Sequence, residues 1–176
     1  DVQGSTVLSG ASKPQISSDG RFVAFKLDTP LFEYEKASDK ARKKFKSGLV
    51  LLDTQTGNET RYERVESFAF NQAGTHLAIW YEADEAKSKD KDKATESDEP
   101  NVDKYDKGRT LVIISLANNS SETFEQVTAY HFDKRGAYAV VAKNDVSAKA
   151  HQILLHKLAD NSSSVIQGYI DQQIGA

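Results

Sequence analysis

Apolar and polar positions are sharply partitioned from the first ordered-looking stretch of the chain onward. "QISSDGRFVAF" (15–25) sets two apolar runs on either side of Ser17-Ser18-Asp19-Gly20, a tight-turn signal. The pattern occurs twice more, as "SFAFNQAGTHLAIW" (67–80) and "AYHFDKRGAYAVVA" (129–142). With Gly20, Gly74 and Gly136 in register, Ile16, Phe70 and Phe132 coincide four residues earlier, and Val23, Leu77 and Ala139 three residues later. A hairpin loop built on a type I turn commonly ends in a residue with φ above zero, which glycine adopts without a Cβ clash. "FVAF", "LAIW" and "AVVA" are continuously apolar. A strand covered on both faces reads this way, whereas a one-faced sheet alternates.

An aliphatic strand that runs into a polar turn follows each hairpin. "LVLLDTQTG" (49–57), "LVIISLANN" (111–119) and "ILLHKLADN" (153–161) align without a gap. "ETRYERV" (59–65) and "ETFEQVT" (122–128) supply a fourth strand and lead into the next copy. Each unit therefore reads strand, tight turn, strand, loop, strand, turn, strand, the order of a β-propeller blade. The expected fold is all-β, with about three four-stranded antiparallel sheets at roughly 12–66, 67–128 and 129–176 that together make an incomplete propeller. A stand-alone β-sandwich has the same strand count.

The repeated glycines lie further apart than the roughly 40 to 45 residues that four antiparallel strands need. The excess falls between the second and third strands, as charged inserts at 28–47 and 83–108. In the first, "YEKASDKARKKF" (34–45) predicts a short helix, acidic early and basic late as the helix dipole favours. The second, within "EADEAKSKDKDKATESDEPNVDKYDKGR" (82–109), is nearly free of apolar residues and is expected to protrude as a disordered hairpin tip.

Composition narrows the chemistry. The 176 residues carry a formal net charge of −3 and a pI near 5.8, so no global field draws in nucleic acid or an anionic membrane. The absence of cysteine excludes disulfides, thiolate catalysis and Cys-ligated metal. The longest aliphatic runs, "LVLL" and "LVII", are far short of the roughly 20 residues that span a bilayer. The opening "DVQGSTVLSG" has no basic and apolar leader pattern, and the lack of any methionine points to a sequence cut from a longer one.

Candidate chemistry is sparse. His76, His131, His151 and His156 have no metal-ligand spacing and are expected at surface or strand-edge positions. The nearest approach to a G-x-S-x-G elbow, "GASKP" (10–14), lacks the final glycine and precedes a strand with no helix after it. "KDKDKATESDE" (89–99) lacks the glycine and terminal glutamate spacing of a calcium loop. Asn58, Asn118, Asn119 and Asn161 match the N-glycosylation acceptor pattern, at a frequency that turn composition explains. No catalytic, cofactor-binding or metal-binding residue is assigned.

"ISSDGRFVAF" followed by "LVLLDTQTG" resembles the blade unit of TolB-like propellers and of the propellers in prolyl oligopeptidase family serine peptidases. Together with "SDKARKKFKSG", "RVESF", "LAIWYEADEAKSKDKDK", "LVIISLANN" and "FDKRGAYAVVA", it is similar to a bacterial subgroup of that family. That subgroup places a Lys/Arg-rich helical insert after the first hairpin and a charged Lys/Asp repeat before the third unit. The likeness covers residues 12 to about 161, with Ser18 where proline is usual and no Asp before Gly74 or Gly136. It implies a non-catalytic N-terminal propeller segment that restricts substrate access to an α/β-hydrolase domain. The Ser-Asp-His triad of the family lies in that domain, so no triad residue carries over to this chain. It further implies a periplasmic or secreted location. The remainder of the propeller and the catalytic domain are the implied partners, and an unclosed ring would add self-association through an open blade edge. The alternative is a TolB-like module for protein–protein binding, with the inserts as its interface.

Overall fold

Three hairpin turns close on one set of hydrogen bonds. The computed structural model describes residues 9–42, 44–83, 108–145 and 150–170. Gly20, Gly74 and Gly136 have φ of 73°, 70° and 72°, and their N–H groups donate to the carbonyls of Ser17, Asn71 and Asp133. Each of these three residues also donates its own N–H to the carbonyl five residues on, that of Phe22, His76 or Tyr138. The return bond goes to a side chain: the N–H of Phe22 donates to Ser17 Oγ (2.9 Å), that of His76 to Asn71 Oδ1 (3.0 Å) and that of Tyr138 to Asp133 Oδ1 (2.8 Å). Three different residue types do one job, because each offers a short side-chain oxygen. The loss of Asp before the second and third glycines is therefore harmless to the turn.

In the first unit, β1 (Ala11–Ile16), β2 (Phe22–Leu27), β3 (Gly48–Asp53) and β4 (Glu59–Tyr62) pair in sequence order, all antiparallel. The second and third units contain β5 (Val65–Phe70), β6 (His76–Tyr81), β7 (Arg109–Ser115), β8 (Ser121–Phe132), β9 (Tyr138–Asp145), β10 (Ala150–Lys157) and β11 (Ser162–Ile170). These seven form one sheet, again in sequence order, where the sequence predicts two separate four-stranded sheets. The twelve-residue β8 is the fourth strand of one unit and the first strand of the next.

The reason lies at Gln126. It has φ of 59° and stands ten residues before its turn glycine, as do Arg64 (59°) and Gly10 (84°). At Arg64 the left-handed residue separates β4 from β5. At Gln126 the adjacent Val127 keeps a partner on each side, Arg109 of β7 and Lys143 of β9, so the strand kinks instead of ending. The turns between third and fourth strands repeat too, ending in Gly57, Asn119 and Asn161, all left-handed. Asparagine is among the few non-glycine residues that adopt this conformation readily.

The core consists of two apolar layers, one in each seam between units. Phe22, Ala24, Leu49 and Leu51 of the first unit meet Phe68, Leu77, Ile79, Ile114 and Leu116 of the second. On its other side the second unit packs Ala78, Leu111, Ile113, Phe124 and Val127 against Ala139, Val141 and Leu158 of the third. Successive residues of β6 thus enter opposite layers, which accounts for its continuous apolar run. Among the described residues, the far face of the third unit has no such cover: Val140 is 39% exposed and pairs with Leu155, which is only partly buried.

The first insert holds two short helices, α1 (Leu31–Lys36) and α2 (Asp39–Arg42), where the sequence predicts a single helix over 34–45. Pro30 sets the start of α1. Ala37 is extended, and Ser38 restarts the helix by accepting the N–H groups of Ala41 and Arg42 at its carbonyl, both at 2.9 Å. The disordered tip expected in the second insert lies outside the described residues. Among the described residues, no helix is long and apolar enough to cross a membrane.

Candidate functional site

The densest polar network sits where the second and third turns meet. Asn71, buried, accepts the N–H groups of Thr75 (2.9 Å) and His76 (3.0 Å) at Oδ1. Its Nδ2 donates to Thr75 Oγ1 (3.0 Å) and across the seam to the Gly136 carbonyl (2.8 Å). Both donors and both acceptor positions of the amide are in use. The first seam has a simpler link, the Ser18 hydroxyl donating to the Ala73 carbonyl at 2.7 Å. Asn71→Ala is expected to cost about 3 kcal/mol, since it leaves several buried backbone groups unpaired. Urea unfolding checks this, and Asn71→Asp separates the roles. It keeps both acceptors but turns a carboxylate onto the Gly136 carbonyl.

Two of the four histidines depart from the surface positions expected of them, while His131 is exposed as expected. His76 and His156 are buried, because β6 and β10 both contribute to the seam between the second and third units. The His156 ring stands nearly perpendicular to Phe124, with centroids 5.1 Å apart. His151 and His156, five apart on β10, occupy opposite faces as alternation requires. His151 Nδ1 lies 2.7 Å from Asn144 Oδ1. Among the described residues, no group of three or more His, Asp or Glu is placed to hold a metal ion. Ser17 donates to Asp19 Oδ1 at 2.6 Å, which with the Arg21 N–H holds the Asp19 carboxyl below the usual range. Its hydroxyl serves the turn.

Among the described residues, two grooves bring aromatic side chains of neighbouring units together. The first, about 540 Å³, runs between the first strands of the second and third units and is lined by Phe70, Tyr130, Phe132, Gln72, His131 and Lys134. Tyr130 is edge-on to Trp80 (5.8 Å) and to Phe132 (6.1 Å), and the Arg109 guanidinium lies 5.3 Å from the Trp80 ring centre. The second groove, about 400 Å³, opens at the outer end of the first seam between Tyr62, Tyr81, Val112 and Ile114. Burial pushes the phenols of Tyr62, Tyr81 and Tyr130 up, so all three stay neutral hydroxyls at physiological pH. At the next seam the Tyr62 position carries Phe124, which is buried and fills the equivalent space. Aromatic faces with a few neutral hydroxyls suit binding rather than proton transfer. Alternating patterns do not disclose these grooves, because each is made by residues of two units.

The β-propeller domain of the trilobed protease from Pyrococcus furiosus matches 96% of this chain with a TM-score of 0.51 at 13% identity. This chain folds as part of a β-propeller. Its units are blades, and the shared β8 joins blade 2 to blade 3. An acylaminoacyl peptidase from Pyrococcus horikoshii aligns over 90% of the chain (22% identity, TM-score 0.46), and TolB from Acinetobacter baumannii over 90% (8% identity, TM-score 0.41). The chain spans less than half of each of these proteins: 44%, 25% and 33% of their lengths. No family model matches the sequence, and no curated protein matches it.

Proposed function

We propose that this chain is a non-catalytic propeller segment of a serine peptidase of the prolyl oligopeptidase family, limiting by size which substrates reach a catalytic domain carried elsewhere in the parent protein. The observation that supports this reading is the bare far face of blade 3. Val140 and Leu155 stand where blade 2 has Ala78 and Ile113, which are sealed by the neighbouring blade. A further blade of the same design is the natural cover, since propellers close with four to eight. The family likeness of the blade units and their inserts supplies the peptidase, and with it a bacterial, secreted or periplasmic setting. The test is the reading frame that encodes the chain. More blade units followed by a Gly-x-Ser-x-Gly elbow, then Asp and His, are expected; a stop codon after one more blade overturns the proposal. In the full-length enzyme, removing the propeller should raise hydrolysis of a folded protein substrate far more than that of a short chromogenic peptide.

A second reading, a TolB-like protein-binding module, is favoured by the first insert. Leu31 and Phe32 on α1 are largely exposed, and the Lys36 ammonium sits 3.9 Å from the Phe32 ring centre. Exposed apolar pairs rimmed by charge are common at interfaces. Deleting residues 84–106, or replacing Leu31 and Phe32 with serine, should abolish partner capture on this reading and leave a peptidase segment unaffected.

A further inference from the structure

We propose that the seam between blades 2 and 3 is a proton-sensitive joint, in which charging His76 and His156 under mild acid loosens one blade from the other. The two imidazoles come from opposite sides of the seam, His76 on β6 of blade 2 and His156 on β10 of blade 3. His156 is fully buried and His76 is 9% exposed. Charge on His156 disfavours charge on His76.

Each ring is furnished for its neutral form. His76 Nδ1 is 2.9 Å from Thr75 Oγ1, and the ring donates to the Leu158 carbonyl across the seam. Thr75 Oγ1 already receives the Asn71 amide, which leaves its own proton to donate to Nδ1. An imidazolium would set a second donor against that hydroxyl. His156 Nδ1 is 3.0 Å from Ser163 Oγ, while Nε2 has no hydrogen-bond partner and the ring abuts Phe124. A charged ring there has a buried donor with nothing to receive it.

Glu122 at the start of β8 and Asp160 in the turn after β10 favour a charge on His156, as does the Ser162 carbonyl. Asp160 is itself occupied: the Lys157 ammonium donates to it at 2.8 Å, and its carboxyl is held down at about 2. Opposite His156 in the sheet stand Ala139 of β9 and Ser163 of β11, and opposite His76 stands Ser115 of β7, none of which titrates in this range. Burial outweighs the two carboxylates and holds both histidines below their ordinary 6.5. The unfolded chain therefore binds more protons in the window below about pH 6.5, so stability is complete above it and declines as pH falls through it.

The test uses the 176-residue chain and the His76→Gln/His156→Gln double variant, with urea midpoints and amide exchange at about pH 7.5 and pH 5. After correction for the intrinsic pH dependence of exchange, opening of β9 and β10 in the native chain is expected to rise about tenfold relative to β2 and β3 at the lower pH, one pKa unit of linkage being tenfold. The double variant should show no such difference and no acid fall in midpoint. An equal acid effect in the variant, or opening that rises uniformly across all blades, overturns the proposal. Should the variant not fold, proton NMR of the native imidazoles decides. Two rings titrating clearly below 6.5 are expected, and none doing so refutes the joint.

Discussion

Gly136→Ala is expected to destabilise the chain by about 3 kcal/mol, whereas Gly20→Ala costs only about 1 kcal/mol. The two glycines hold the same place in the same turn, with φ of 72° and 73°, so the left-handed strain of an added Cβ is common to both. Their surroundings differ. A Cβ at Gly20 meets nothing within 4 Å. At Gly136 it would lie 2.7 Å from the Ala73 nitrogen, 2.9 Å from the Ala73 Cβ and 3.0 Å from Asn71 Nδ2. The first two belong to the backbone and Cβ of the preceding turn and cannot swing aside. The third is the amide that bonds the Gly136 carbonyl. The expected gap of about 2 kcal/mol between the variants is the overpacking cost alone, read from urea midpoints at unchanged m-value. Equal effects would mean that the turns of blades 2 and 3 do not nest in solution.

Ile113→Ala should cost about 3 to 4 kcal/mol and Leu155→Ala about 1 kcal/mol, although they occupy equivalent positions on third strands. Ile113 is 1% exposed and sits in the layer that blade 3 seals, so truncation leaves a cavity lined by Leu111, Phe124 and Val141. Leu155 faces outward beside Val140, with no layer of described residues beyond it to leave a void. The contrast also addresses the proposed function. In a longer chain that supplies the next blade, Leu155→Ala should become as damaging as Ile113→Ala, and thermal unfolding of both lengths measures the change. A Leu155→Ala effect as large in the 176-residue chain would show that this face is covered already.

The repeat was legible because local chemistry is copied with it. A φ above zero at a fixed turn position requires glycine, and doubly covered strands require unbroken apolar runs, so Gly20, Gly74 and Gly136 with "FVAF", "LAIW" and "AVVA" carry the signal openly. The part played by Asn71 was not legible. It occupies the Ser17 position, yet one of its four bonds, from Nδ2 to the Gly136 carbonyl, depends on where another blade lies. His76 and His156 were placed on the surface for the same reason: nothing within five residues of either announces the facing sheet. The break at Ala37–Ser38 was readable from Ser38, a strong helix-start residue that the charge pattern of the insert overshadowed.

By itself the sequence determined the hairpins, the antiparallel order of strands within each blade and the two places where inserts leave, since these follow from turn stereochemistry and from unbroken apolar runs of a few residues. Only the tertiary structure decided that β8 runs unbroken through two blades, which turns touch, which histidines are enclosed and which face of blade 3 stays bare. Those properties arise from contacts between segments dozens of residues apart, and burial is a sum over neighbours that no single stretch of chain contains.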